Sequence, residues 1–281
     1  MTPIKARIVT GLLAMLAAAA TPAISHPGAG SAIDHYSHEL EHRPGDPSLY
    51  LRRGVAYSNN GEFDRALADF QRAQALGDPV LADFDLGVVH YRRGDFAAAR
   101  ASFDRYLARF PNHSAGLEYR ARLLRDMGDY SASLADFRRV FALQPQPNPG
   151  HYISAADMLS QGGDEGIARA LAIIDEGTEK IGLTPQLQQR AVALEVTRGR
   201  CDLAIQRLQT LYPMLGDSPS WTVSMAELKQ AGGETAEAEQ LFHRARQQLD
   251  SLRKTPAREA LAERITVAGT AAAACDASKR S

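Results

Sequence analysis

Three glycines are spaced almost evenly along the first half of the chain. Gly61, Gly94 and Gly128 lie 33 and 34 residues apart, and each closes a short polar turn. A unit of this length holds two short helices but cannot bury its own apolar stripe, so it must stack on its neighbours. The spacing therefore predicts an all-α chain of stacked helical hairpins. Matching residue types recur around the three turns, namely Gly54, Tyr57, Ala66, Phe70 and Ala73, then Leu86, Gly87, Ala99, Phe103 and Pro111, then Ala121, Phe137 and Pro145.

Five acceptor-proline pairs mark predicted helix starts. Each joins a side chain that can accept a hydrogen bond from a free backbone N–H with a proline suited to the first helical position. We expect the turn glycines to adopt positive φ and to end the first helix of each hairpin. The pairs are Asp46-Pro47, Asp78-Pro79, Asn148-Pro149, Thr184-Pro185 and Ser218-Pro219.

This pattern resembles the tetratricopeptide repeat family, in its bacterial exported type. The family signature contains small, aromatic and glycine residues in a fixed order, and the first unit matches it at Tyr50, Gly54, Tyr57, Gly61, Ala66, Phe70 and Ala73. The resemblance implies a right-handed superhelical solenoid of about six helix-turn-helix hairpins with a C-terminal capping helix. It also implies a concave wall built from the first helix of each hairpin.

The predicted domain boundaries follow from the repeats and the flanking composition. Three repeats match well and three are degenerate; in the fourth, Ala155 takes the small-residue position if about three residues are inserted near Gly163. The ranges are 1–25 for a signal peptide, 26–45 for a His-rich segment with a capping helix, 46–246 for the solenoid, 251–269 for the C-terminal capping helix and 270–281 for a disordered tail. Within the solenoid, the well-matched repeats are 46–79, 80–112 and 114–147, and the degenerate repeats are 148–183, 184–216 and 218–250.

The N-terminal residues have the pattern of a secretory signal. Lys5 and Arg7 precede an apolar run over 8–20, and small residues lead to a predicted cleavage near Ser25. The run is shorter than the roughly 20 apolar residues that a spanning helix needs. We therefore expect a periplasmic or secreted protein with no integral membrane span after cleavage.

The charge balance argues against a nucleic-acid partner. The formal net charge is −1, and loss of residues 1–25 would remove two basic groups and no acid, which gives −3. Phosphate binding needs a concentrated basic surface. Arginine pairs such as Arg52-Arg53 and Arg138-Arg139 are instead interleaved with acids, as on a solvated helix face with salt-bridge partners.

The chain has two cysteines, Cys201 and Cys275. After export they would meet an oxidising compartment, where they either form one disulfide or stay as two unpaired thiols. Spacing alone does not decide between these alternatives because a disulfide depends on geometry.

Histidines near the N-terminus offer an alternative, metal-dependent function. Residues 38–42 match the HExxH zinc-protease pattern, but Pro44 ends the helix and Ser48 stands where a third ligand would be needed. His35, His38 and His42 share one helical stripe and could chelate a divalent ion, or could simply line a solvated helix. The chain contains no GxSxG, Walker, GxGxxG or CxxC motif. We expect neither an enzyme nor a bound cofactor.

The family resemblance implies which residues line the concave groove. It favours a non-catalytic scaffold or adaptor in the cell envelope that binds a peptide or helix of a protein partner, apolar at one end and carrying an acidic group. The first-unit Lys and Asn of the family's clamp for chaperone carboxylates are absent, so that specialisation is not expected. The groove residues are Leu51, Val55, Phe84, Val88, Tyr91, Arg92, Glu118, Arg122, Arg125 and Tyr152.

Overall fold

The computed structural model describes residues 29–268, and these form fifteen α-helices and one 3-10 helix with no strand among them. The predicted all-α class of stacked helical hairpins is confirmed. Two compact units divide between Arg93 and Gly94, within the predicted second repeat, and each is described by itself.

The first unit contains α1 (Ala29–His42), α2 (Pro47–Asn59), α3 (Phe63–Leu76), the 3-10 helix η1 (Pro79–Ala82) and α4 (Asp83–Arg93). The second unit contains α5 (Phe96–Arg109), α6 (Ser114–Asp126), α7 (Tyr130–Leu143), α8 (Pro149–Ser160), α9 (Gly163–Ile181), α10 (Pro185–Thr197), α11 (Cys201–Thr210), α12 (Tyr212–Leu215), α13 (Pro219–Ala231), α14 (Thr235–Asp250) and α15 (Pro256–Ala268).

The helix starts lie where the sequence predicts them. All five acceptor-proline pairs begin a helix, and in each the side chain accepts a backbone N–H bond from the first turn. Asp46, for example, accepts from the Ser48 N–H at 2.9 Å. The turn glycines also behave as predicted, with φ of 80° at Gly61 and 82° at both Gly94 and Gly128.

In the first unit, α2 and α3 pack closely because Gly54 has no side chain. A Cβ on Gly54 would lie 2.5 Å from Cε1 of Phe70, whose ring is fully buried. Arg53, one residue earlier, makes two parallel hydrogen bonds to the buried Asp69 carboxylate, at 2.7 and 2.8 Å. The hairpin is therefore held by a small-large contact beside a bidentate ion pair.

In the second unit, the first helices and second helices of successive hairpins share a core. One apolar cluster extends from Ala121 on α6 to Leu194 on α10. Smaller clusters continue along α11, α13, α14 and α15. Leu261 and Ile265 of α15 are buried against the last hairpin, so this helix covers the apolar end that a repeat array leaves open.

The register predicted for the fourth repeat is wrong by one residue. Tyr152, Ala156 and Leu159 lie 4, 8 and 11 residues after the Asn148 N-cap, and all three are buried. The same offsets after the His113 N-cap give Leu117, Ala121 and Leu124, which are buried as well. Ala156, rather than Ala155, therefore occupies the small-residue position, and Tyr152 falls in the core.

The predicted signal peptide and the predicted tail lie outside the described residues. Within 29–268, no helix combines the length and the hydropathy needed to cross a bilayer.

Candidate binding surface on α6 and α8

In the first unit, the predicted groove residues on α2 and α4 differ in exposure. Leu51 and Val55 are half-buried and pack against the apolar core of this unit. Val88 is buried, whereas Phe84, Tyr91 and Arg92 lie at least partly at the surface. Arg92 donates through Nη1 to the Ser58 carbonyl oxygen at 3.3 Å. Val88 is thus a core residue, and the remaining side chains form a part-exposed wall.

In the second unit, α6 places three predicted groove residues on one face. Glu118, Arg122 and Arg125 follow one another at i, i+4 and i+7, so their side chains lie in one row. All three are part-exposed. The sequence prediction for this helix therefore gives side chains that a partner could reach.

Glu118 is the centre of a polar cluster on this surface. Its Oε1 accepts an ion pair from Arg122 Nη2 and lies 3.2 Å from Nε2 of His151 on α8. Arg122 Nη2 also lies 3.5 Å from the same imidazole nitrogen.

His151 is held in its neutral form. Burial lowers its pKa, and the Arg122 charge adds to that effect, although the Glu118 carboxylate acts in the opposite direction. The residue is 4% exposed. A neutral ring with the proton on Nε2 can donate to Glu118, which leaves Nδ1 buried without a hydrogen-bond partner. Glu118 is therefore balanced by one cation, Arg122.

A cavity of about 540 Å³ opens beside this cluster. Glu118 and His151 contribute to one side, and the α7–α8 turn contributes Pro147 and Pro149. The remaining lining residues are Gln144, Gln146, Asn148, Ile181 and Thr184. The volume falls within the range of about 300–1,000 Å³ seen for ligand pockets.

The arginines of this surface are already engaged. Arg122 is paired with Glu118, and Arg125 Nη2 is 2.8 Å from Oδ1 of Asp126. Arg125 also donates to the Ser154 hydroxyl on α8 at 3.4 Å. The expected preference for an acidic partner group therefore has no support in the local charge balance, since each guanidinium has its own carboxylate.

Tyr152 does not belong to the binding surface. Its side chain is 0% exposed, and its ring stacks on Phe141 with centroids 3.9 Å apart. Gly177 on α9 makes room for it, because a Cβ there would approach the ring to 2.8 Å. The physical reason is the one-residue register shift in the fourth repeat, which directs this position into the core.

Sequence reasoning missed the partner of His151. This histidine contacts Glu118 from 33 residues away. The repeat length itself was the available signal, because equivalent helices of adjacent repeats lie side by side. Asp157–Arg190 and Asp175–Arg207 are ion pairs with similar separations, 33 and 32 residues.

The N-terminal histidines do not form a metal-ligand cluster. Across residues 29–268, no three His, Cys, Asp or Glu side chains converge in a way that could hold an ion. His38 lies 3.4 Å from Glu41, and its ring contacts His42 edge-on. His35 instead contacts Tyr36. These side chains lie on the surface of α1.

Cys201 is buried at the start of α11. Cys275, its predicted partner, lies outside the described residues. The pairing of these two cysteines stays a prediction.

A family model matches part of the hairpin array. Residues 31–114 match the model of the tetratricopeptide repeat. This part of the chain is similar to tetratricopeptide repeats. Human tetratricopeptide repeat protein 16 is 29% identical over 129 residues, which cover 41% of this chain and 15% of that protein. This chain therefore spans only a small part of that relative's length.

Solved tetratricopeptide-repeat structures share this fold at low sequence identity. The C-terminal part of a repeat-containing protein from Cytophaga hutchinsonii aligns with a TM-score of 0.61 at 14% identity, covering 81% of this chain and 95% of that one. A repeat protein from Parabacteroides merdae gives 0.51 at 15%, covering 86% and 93%. The MamA protein gives 0.50 at 16%, covering 63% and 98%. These likenesses establish the fold.

Proposed function

We propose that this chain is a non-catalytic scaffold or adaptor of the cell envelope that holds a peptide or helix of a protein partner. Tetratricopeptide repeats generally serve as protein-interaction scaffolds. The observation that carries the proposal is the part-exposed polar row of α6, which faces α8 beside an open cavity. Such a surface offers hydrogen bonds and shape to a partner, as peptide-binding grooves require.

The first unit has an exposed surface of its own, which is aromatic rather than polar. Phe84 and Tyr91 on α4 are part-exposed aromatics, and Arg92 follows them at the surface. Aromatic and arginine side chains dominate the energetics of many protein interfaces. The proposal therefore assigns apolar anchoring to α4 within the first unit.

Affinity capture with matched variants tests this proposal. The full chain would be crosslinked in its native envelope, with Tyr91→Ala and Arg125→Ala as wall variants. Arg72→Ala and Arg169→Ala are the controls, since both arginines are exposed on the second helix of a hairpin. We expect one crosslinked partner with the wild type and the controls, and at least a fivefold loss with each wall variant. Equal capture by all four variants would contradict the proposal.

Export is part of the same proposal and rests on the pattern of residues 1–25. Sequencing the N-terminus of the protein recovered from the envelope should give a chain that starts close to His26. A chain that starts at Met1 and is found in the cytoplasm would remove the envelope from the proposal.

A further inference from the structure

We propose that the cavity beside Glu118 binds an extended peptide segment through a lysine or arginine side chain. This inference rests on the proposed scaffold function and names the chemistry that its second unit recognises. The ligand class is opposite in charge to the acidic partner that the sequence suggests.

The charge of the cavity lining carries the first step. Glu118 is its single residue with a full charge at neutral pH, because His151 is held neutral and Arg122 is not part of the lining. The contacts of Glu118 with Arg122 and His151 both reach Oε1. A carboxylate in the lining of a cavity is an acceptor for an ammonium or guanidinium group.

The apolar part of the lining fits the stem of such a side chain. Pro147, Pro149 and Ile181 contribute hydrocarbon surface to the same cavity. Lysine and arginine bury their methylene stems along apolar surface while the charged head stays in polar surroundings. The cavity offers both environments, with prolines along its wall and a carboxylate beside them.

The amides at the rim match the main chain of a peptide. Gln144 donates through Nε2 to the Ser114 hydroxyl at 2.6 Å, which leaves its Oε1 as an acceptor. Asn148 accepts the Gly150 N–H through Oδ1 at 2.8 Å, which leaves its Nδ2 as a donor. An extended peptide presents alternating N–H and C=O groups, so one acceptor and one donor suit it.

Arg122 limits the strength of this site. It neutralises Glu118 and occupies Oε1, so a basic ligand must compete with it for the carboxylate. Removing the guanidinium should therefore strengthen the binding of a basic peptide. Damage to the fold would instead weaken the binding of a basic peptide. The direction of the change in affinity therefore distinguishes a role of Arg122 in recognition from a role in folding.

Fluorescence anisotropy with three labelled heptapeptide pools tests the inference on the full chain. The pools share random flanks of Ala, Ser, Thr and Pro, and their central residue is Lys, Gln or Glu. We expect the Lys pool to bind about tenfold more tightly than the Gln pool, and the Glu pool to bind most weakly. Glu118→Gln should reduce the Lys preference to within twofold. Arg122→Ala should increase it at least threefold.

Glu239→Gln is the matched control, because Glu239 is an exposed carboxylate on α14 of the same unit. It should leave the Lys preference unchanged, and circular dichroism should show equal helicity in all variants. The inference is overturned if Glu118→Gln keeps the Lys preference, or if folded Arg122→Ala binds the Lys pool more weakly. Equal binding of all pools by the wild type also overturns it, yet leaves the scaffold function standing. If no pool binds, the inference is overturned, whereas the scaffold function is decided by the capture experiment.

Discussion

Single residues determine how closely the two helices of a hairpin approach each other. Gly54 on α2 and Gly177 on α9 each face an aromatic ring of the paired helix, Phe70 and Tyr152 respectively. Both contacts leave no room for a methyl group. The same principle places Ala121 and Ala156 at fully buried positions of α6 and α8.

Gly54→Ala should destabilise the protein by about 1–3 kcal/mol, because a side chain must move out of a packed core to admit the new methyl group. Thermal or urea unfolding measures this change. Gly30→Ala is the control, since Gly30 is also helical and a Cβ there meets nothing within 4 Å. It should be neutral or stabilising by up to about 1 kcal/mol. Equal losses in both variants would contradict the packing account.

Asp85 on α4 should make stability depend on pH. Burial raises the pKa of its carboxyl to about 6, from 3.8. The folded state thus binds the proton more tightly, and stability falls as the pH rises from about 4 through 6. Asp85→Asn removes this loss and should stabilise the protein by about 1–2 kcal/mol at neutral pH.

Melting curves at about pH 4 and pH 7.5 test the Asp85 prediction. The variant should melt higher than the wild type at the neutral pH and at nearly the same temperature at the acidic pH. A gap of the same size at both values would show that the carboxyl does not titrate as described.

The same arginine–aspartate salt bridge joins the two helices in two of the hairpins. Arg53 and Asp69 join α2 to α3, and Arg120 and Asp136 join α6 to α7 in the same bidentate geometry, 16 residues apart in both cases. Each aspartate is buried. Removing one partner of such a pair leaves an uncompensated buried charge, whereas replacing both with uncharged residues often costs little.

The chain itself suggests the uncharged replacement. Thirty-three residues after Arg53 and Asp69, at the equivalent repeat positions, stand Leu86 and Ser102. Arg53→Leu alone should cost about 3–5 kcal/mol because Asp69 loses its partner. The double variant Arg53→Leu with Asp69→Ser should cost at least 1 kcal/mol less than the sum of the single changes. Urea unfolding of the four proteins completes the cycle, and strict additivity would show that the two residues are not coupled.

Helix boundaries could be predicted because they depend on local chemistry. The cap at Asn148 and the turn at Gly128 act on backbone groups a few residues away, so the amino-acid sequence is sufficient to predict these helix boundaries. The register of the fourth repeat failed because Ala155 and Ala156 are both small. Counting from the Asn148 cap would have selected Ala156, since Ala121 lies at the same offset from His113.

Over the whole molecule, contacts between neighbouring repeats follow the repeat length. Glu118 meets His151 at 33 residues, and Asp175 meets Arg207 at 32. The sequence placed Glu118, Arg122 and Arg125 on one helix face, as the structure shows. It could not show that their charges are balanced or that a cavity adjoins them, because both depend on how side chains of separate repeats meet.

The central claim is that this chain recognises its partner on the first-helix wall of the second unit. A photo-crosslinking amino acid placed at position 125 on α6, or at position 169 on the outward side of α9, tests this claim most directly in the native envelope. The account predicts a specific crosslinked partner from position 125 and little or none from position 169. Crosslinking from position 169 alone, or from neither position, would contradict it.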